Sequence, residues 1–187
     1  MRDWPGRAHA ETLRVWPELA QVVRRVETQP ELFLGALLIG SLSRGEGDTL
    51  SDIDLIAVTR LDGWQDAWDA RRTLSNGALA IFDRFEDKPG VAGHSWLTPD
   101  LIKVECLVTR PGAIRLAGDA VIIAGVDGLI DRFERIAPFT RDEINDYAAG
   151  LREAEAISDV ERAYDDLIVV LRREVLSRRE VSSPQSP

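Results

Sequence analysis

Apolar residues fall along the chain first in a helical stripe and then in unbroken runs. From Pro17 onward Leu19, Val22, Val23 and Val26 share one side of a helix, and a proline suits the first helical turn; residues 8–16 are read as an earlier helical turn. The run LFLGALLI at 32–39, bounded by Gln29-Pro30 and Gly40-Ser41, predicts a strand buried on both faces, and a second such run, IDLIAVT, starts at Ile53. A helix is expected over 62–74, closed by Ser75-Asn76-Gly77, whose last two residues tolerate the left-handed conformation of a helix end. A strand follows at 78–85. The stretch EDKPGVAGHSWLTPD, 86–100, has proline and glycine punctuation and no period, so it is expected to be a loop, with a lid as the role its length and glycines suggest. In LIKVECLVT, 101–109, the alternation is clean: Ile102, Val104 and Cys106 on one face, Lys103, Glu105 and Leu107 on the other.

The pattern then changes character. Residues 119–125 predict a short edge strand and 127–136 a short helix. Two capping boxes follow, Thr140 with Glu143 and Ser158 with Glu161, and announce helices over 141–157 and 159–177. Their apolar stripes are Ile144, Tyr147, Ala148 and Leu151, then Val160, Tyr164, Leu167, Ile168, Leu171 and Val175. Residues 178–187 read as a frayed tail. The expected architecture is α/β (α+β): a mixed sheet flanked by helices over 1–137, followed by a C-terminal helical segment, 138–187, folded as a hairpin.

Charge narrows the choice of ligands. The chain of 187 residues carries a net charge of -9, which disfavours a groove for polynucleotides, since that affinity comes from clustered Lys and Arg. A cationic small molecule suits it better. The single cysteine, Cys106, makes no intrachain disulfide, the first residues lack the apolar core of a signal peptide, and no run approaches the roughly 18 apolar residues of a membrane span. A cytoplasmic protein without membrane insertion is expected.

The chemistry concentrates in GSLSRGEGDTLSDIDL, 40–55. Side chains alternate along a strand, so Asp52 and Asp54 point to one side while Ile53 and Leu55 point to the other. Paired carboxylates on one face repel each other unless a cation lies between them. Hard divalent ions take oxygen ligands, and Mg²⁺ is commonly held by one or two carboxylates together with substrate phosphate. Upstream, Gly40 lets the backbone approach a ligand, the Ser41 hydroxyl with nearby N–H groups suits phosphate oxygens, and Arg44 adds positive charge. The plain alternatives are a solvated strand start for Asp52 and Asp54, a helix cap for Ser41, and a surface ion pair with Glu46 or Asp48 for Arg44.

Gly40-Ser41, the Arg44-Gly45 loop, and Asp52-Ile53-Asp54 entering an apolar strand together resemble the signature of the DNA polymerase beta-like nucleotidyltransferase superfamily, closely over 32–58 and more loosely to about 125. The resemblance implies two metal ions, expected to be Mg²⁺, and transfer of a nucleoside monophosphate from an NTP, expected to be ATP, with pyrophosphate leaving. It also implies a third carboxylate on a neighbouring strand. Glu105 occupies such a position, as third ligand or general base, although aspartate is commoner there; Asp83 is its competitor, and Lys103 shares its face. Antibiotic nucleotidyltransferases, which the architecture resembles, line the acceptor site with C-terminal helices. Between 141 and 180 this chain has seven arginines against eleven Asp or Glu, with Glu153, Glu155 and Asp159 as acceptor-site candidates. The expected acceptor is a hydroxyl of an aminoglycoside-like or lincosamide-like small molecule, which makes antibiotic resistance the expected role. The alternatives are an antitoxin-type enzyme adenylylating a helical protein partner, and a catalytically silent nucleotide-binding module; a homodimer fits any of these. His94 is expected on the polar surface, Cys106 in the core, and Trp16 and Trp96 in the core or a lid.

Overall fold

The computed structural model describes residues 1–85, 88–138, 140, 142–143, 146 and 159–181. The chain divides into two compact units, Met1–Phe139 and Thr140–Pro187. The first is built on a mixed sheet of six strands: β1 (Phe33–Leu38), β2 (Ile53–Thr59), β3 (Ala80–Phe85), β4 (Val91–Leu97), β5 (Lys103–Thr109) and β7 (Val121–Gly125), in the order β3-β4-β5-β2-β1-β7. Two short strands, β6 (Arg115–Leu116) and β8 (Glu134–Arg135), pair separately. Within the large sheet β2 and β5 run parallel, and the other neighbours are antiparallel.

A core on each side of the sheet explains why β1 and β2 are apolar on both faces. Of α1 (Arg7–Ala10), α2 (Trp16–Glu27), α3 (Gly40–Arg44) and α4 (Trp64–Asp69), α2 packs on β1 and β7, and α4 on β5. The stripe Leu19, Val22, Val23 and Val26 is buried, joining Ile53, Leu55, Val104, Cys106, Trp68 and Trp96 in one core. Each such side chain contributes about 1.5–3 kcal/mol by leaving water. A second, smaller core on the opposite face gathers Leu37, Ile56, Val58, Leu116, Leu129 and Phe133. Cys106 lies in the first core as expected, and burial pushes its thiol up to about 12. Among the described residues no helix is long and apolar enough to cross a membrane.

Several elements differ from the sequence reading. Residues 91–97 are not a loop but β4, paired along its whole length with β5 and from Ala92 to Leu97 with β3, and buried at every position but Leu97. A strand enclosed on both faces needs no alternation, and the small residues Ala92, Gly93 and Ser95 fit between covered surfaces. The lid is withdrawn with the loop. The helix over 62–74 is α4 followed by a tight turn at Arg71–Thr73, and the chain leaves it through Gly77 at φ +88°. Over 127–136 only the turn Ile130–Arg132 is helical: Leu129 and Phe133 are buried, and the backbone then extends so that Glu134–Arg135 pairs with Arg115–Leu116.

In the second unit the first capping box is present. Glu143 N–H donates to Thr140 Oγ1 at 3.3 Å, while Thr140 N–H and Oγ1–H donate to Glu143 Oε2 at 2.7 and 2.8 Å and hold that carboxyl below its usual range. Most of 141–157, Ser158 of the second box, and the candidates Glu153 and Glu155 lie outside the described residues. The last helix, α5 (Asp159–Val181), runs past the expected end at 177, which suits the helix-forming and basic residues Arg178 and Arg179. Tyr164 and Ile168 are buried, whereas Leu167 and Leu171 of the predicted stripe are exposed.

His94 is the other correction: it is fully buried, not on the surface. Its Nδ1 lies 2.6 Å from Asp83 Oδ1 and its Nε2 3.0 Å from Ser75 Oγ, while Arg71 Nη2 donates to Asp83 Oδ2 at 2.9 Å. In the neutral ring Nδ1–H donates to the carboxylate and Nε2 accepts from the hydroxyl. Trp96 lies against the imidazole at 5.3 Å between ring centroids, and the Arg71 guanidinium covers Trp68 at 4.2 Å. The network pins the turn after α4 to β3 and β4. Burial lowers the His94 pKa, and the Asp83 hydrogen bond opposes this only in part. For Asp83 burial works against ionisation, but the bonds from Arg71 and His94 outweigh it and hold the carboxyl below its usual value.

Both shifts have the same consequence for stability. A group whose pKa is depressed by folding stabilises the native state above its unfolded pKa, and that stabilisation is lost as pH falls through the folded value. The urea midpoint is therefore expected to fall as pH drops below about 6.5, the ordinary His value, and again below about 3.9, the ordinary Asp value. In His94→Gln the first decline should disappear; an unchanged pH profile in that variant would contradict the assignment of a neutral native His94.

Candidate active site

The motif at 40–55 folds into one corner of the sheet. β1 ends at Leu38, the Ile39 N–H donates to the Asp54 carbonyl at 3.0 Å, and the chain turns at Gly40 with φ +70° into α3. A Cβ at residue 40 would collide with Asp54 Oδ2 and come within 3.3 Å of Asp54 Cβ. Gly40-Ser41 thus lies directly against the second aspartate. The turn is closed by Ser43 Oγ donating to the Gly40 carbonyl at 2.8 Å and by the Glu46 N–H donating to the Ser41 carbonyl at 3.0 Å. Farther on, Asp48 Oδ1 accepts from the Leu50 N–H at 2.8 Å and from Ser51 Oγ at 3.1 Å, which orders the segment that delivers Asp52. Ser41 remains partly exposed.

Exposure alternates through the strand entrance, with Asp52 and Asp54 half-buried and Ile53 and Leu55 buried, so the two carboxylates share a side. The same face continues as Ile56 and Val58, which belong to the smaller core. The polar part is therefore the open mouth of an otherwise covered sheet face.

Register decides which third carboxylate belongs there. Asp54 pairs with Glu105 on β5, and Glu105 pairs with Ser95 on β4, which pairs with Phe82 on β3. Directly paired residues share a face. Glu105 is hence the cross-strand neighbour of Asp54. Asp83 pairs with His94, which pairs with Cys106, on the opposite face, where Arg71 and His94 hold it.

Two groups are engaged in ion pairs. Lys103 Nζ lies 2.8 Å from Glu105 Oε1, and Arg84 Nη2 lies 3.9 Å from the same oxygen. Arg44 pairs with Glu46 at 2.7 Å, the surface partner foreseen as its alternative, and also with Asp119, a partner 75 positions on that no local pattern indicates. These contacts raise the Arg44 pKa, led by the Glu46 hydrogen bond.

For a hard divalent cation the donor set is chemically suitable: Asp52 and Asp54 present carboxylate oxygens on one side, and Glu105 stands in the adjacent register. Among the described residues no three His, Cys, Asp or Glu are gathered tightly enough to hold a metal ion as they stand. Glu105 faces Lys103 instead. A separate cavity of about 570 Å³, lined by Leu34, Arg60, Leu61, Pro111 and Arg132, lies beyond the other end of β2 and shares no residue with the carboxylate face. Comparison of the sequence with protein-family models and with curated proteins finds no match.

The tight approach at Gly40 is measurable. Gly40→Ala combines the left-handed backbone with a collision, and is expected to destabilise the protein by about 2 kcal/mol or more. Gly77→Ala has comparable backbone strain but nothing within 4 Å of the added methyl, and should cost only about 1 kcal/mol. Equal urea midpoints for the two variants would show that Gly40 does not press on Asp54.

Proposed function

We propose that the protein is a Mg²⁺-dependent nucleotidyltransferase that moves a nucleoside monophosphate, AMP from ATP in the preferred case, to a hydroxyl of a small cationic acceptor of the aminoglycoside or lincosamide type. In this reading the six-stranded sheet is the catalytic core of the polymerase beta-like superfamily. The observation that carries it is the cross-strand pairing of Asp54 with Glu105, with Gly40 set against Asp54. Such a corner offers anionic oxygens on one side and backbone N–H groups on the other.

The acceptor hydroxyl attacks the α-phosphorus, the bond to the β-phosphate oxygen breaks, and pyrophosphate leaves. Gly40 admits the triphosphate close to the backbone, and the Ser41 hydroxyl with the neighbouring N–H groups binds its oxygens. Arg44, tethered by Glu46 and Asp119, supplies fixed positive charge at the edge of that loop. Glu105 takes the acceptor's proton or joins Asp52 and Asp54 as a ligand. Mg²⁺ ions held by these carboxylates would neutralise the attacking and leaving oxygens of the in-line displacement.

One observation favours a second reading, a catalytically silent nucleotide-binding module: Glu105 and Arg44 are both engaged with partners inside the protein. The two are separated by incubating the protein with each NTP and Mg²⁺ against an aminoglycoside and lincosamide panel, following pyrophosphate and product mass. The proposal expects turnover with one acceptor class, and a loss of about a hundredfold or more in Asp52→Asn and in Asp54→Asn with urea midpoints preserved. Undiminished turnover in both variants would overturn the mechanism, and calorimetric ATP binding without pyrophosphate release across the panel would favour the silent module.

A further inference from the structure

Lys103 opens β5 on the same face as Glu105 and is only 3% exposed. A lysine ammonium taken out of water is strongly disfavoured unless a carboxylate meets it, and here Glu105 Oε1 does so at 2.8 Å. Arg84 approaches the same oxygen from β3 at 3.9 Å. Two cations thus converge on one carboxylate at the place where the sheet sets that carboxylate beside Asp54. The same face also carries Asp52 and Asp54.

We infer that Lys103 is a positioning residue, an internal counter-charge that holds Glu105 next to Asp54 and competes with a divalent ion for it. The inference rests on the carboxylate face being the metal site of the proposed function. It gives the pair a defined role: with no metal, Lys103 keeps the negative face stable; a metal that recruits Glu105 must displace that contact. Metal affinity is therefore set partly by a residue that is not a ligand. A lysine serving only as packing would leave that affinity untouched.

The test titrates the full-length protein with Mn²⁺ alone, read by paramagnetic resonance or calorimetry, and compares Lys103→Met, Glu105→Gln, the double variant and Asp52→Asn. Loss of a neighbouring opposite charge changes a carboxylate's affinity for a cation by about tenfold or more, so Lys103→Met should bind Mn²⁺ tighter by about that factor. The double variant should bind no tighter than Glu105→Gln. In chelator Lys103→Met should melt below the wild type, and Mn²⁺ should raise its melting temperature more than it raises the wild type's.

An unchanged Mn²⁺ affinity in Lys103→Met, with only the melting temperature lowered, would overturn the inference. If Lys103→Met fails to fold, Glu105→Gln decides: only a small loss of Mn²⁺ affinity is expected, because the wild-type carboxylate is already occupied, whereas a loss of about tenfold would mark Glu105 as a ligand unhindered by Lys103 and overturn the inference. Asp52→Asn separates the two levels. If it leaves Mn²⁺ binding intact, the site reading fails and takes this inference with it; if it abolishes binding while Lys103→Met is neutral, the inference alone fails.

Discussion

The parallel pairing of β2 with β5 is the constraint on which the rest of the molecule turns. It sets Asp54 beside Glu105, and by alternation it puts Asp52 on the same side and Ile53, Leu55, Val104 and Cys106 on the other. One strand interface thereby builds both the larger core and the charged mouth opposite it. Negative charge gathered there needs compensation. Lys103 and Arg84 provide it for Glu105 from within the sheet, and the missing Cβ of Gly40 lets the Asp54 carboxylate lie directly against the turn.

The elements that were legible from sequence are those whose side chains meet two clearly different environments, or none. The α2 stripe divides core from water, β1 and β2 are apolar throughout because both faces are covered, and β5 alternates because one face carries Lys103 and Glu105. β4 was illegible for a physical reason: Ala92, Gly93, His94 and Ser95 are enclosed by neighbours on both sides, and small or polar residues with glycine and proline just upstream look the same as a loop. His94 was misread for the same reason, since the partners that satisfy it come from Ser75 and Asp83, 19 and 11 positions away.

At the candidate site the sequence spacing of Gly40-Ser41 and Asp52-Asp54 was enough to bring them to one corner, because a hairpin-like return between antiparallel β1 and β2 fixes their separation. The choice between Glu105 and Asp83 was not, because it depends on which face each strand turns toward Asp54, and that is a property of register. The ion pairs of Glu105 with Lys103 and Arg84, and of Arg44 with Asp119, also lay beyond sequence reasoning, whereas that of Arg44 with Glu46 was within it. Lys103 was visible as a residue on the same face, but its depth of burial, which makes it a committed partner for Glu105, depends on coverage that a single strand does not encode.

Apart from β7, which pairs with β1 from far along the chain, the sheet is a join of two locally wound ribbons. β1 and β2 form one antiparallel return, β3, β4 and β5 another, and the seam between them brings together Asp54 and Glu105, residues 51 positions apart (105 − 54). Contacts within each ribbon close short loops, whereas the seam closes a long one and carries a larger entropic cost. The carboxylate mouth exists only once that seam has zipped. A chain with both ribbons wound but not yet joined would lack the pairing of Asp54 with Glu105.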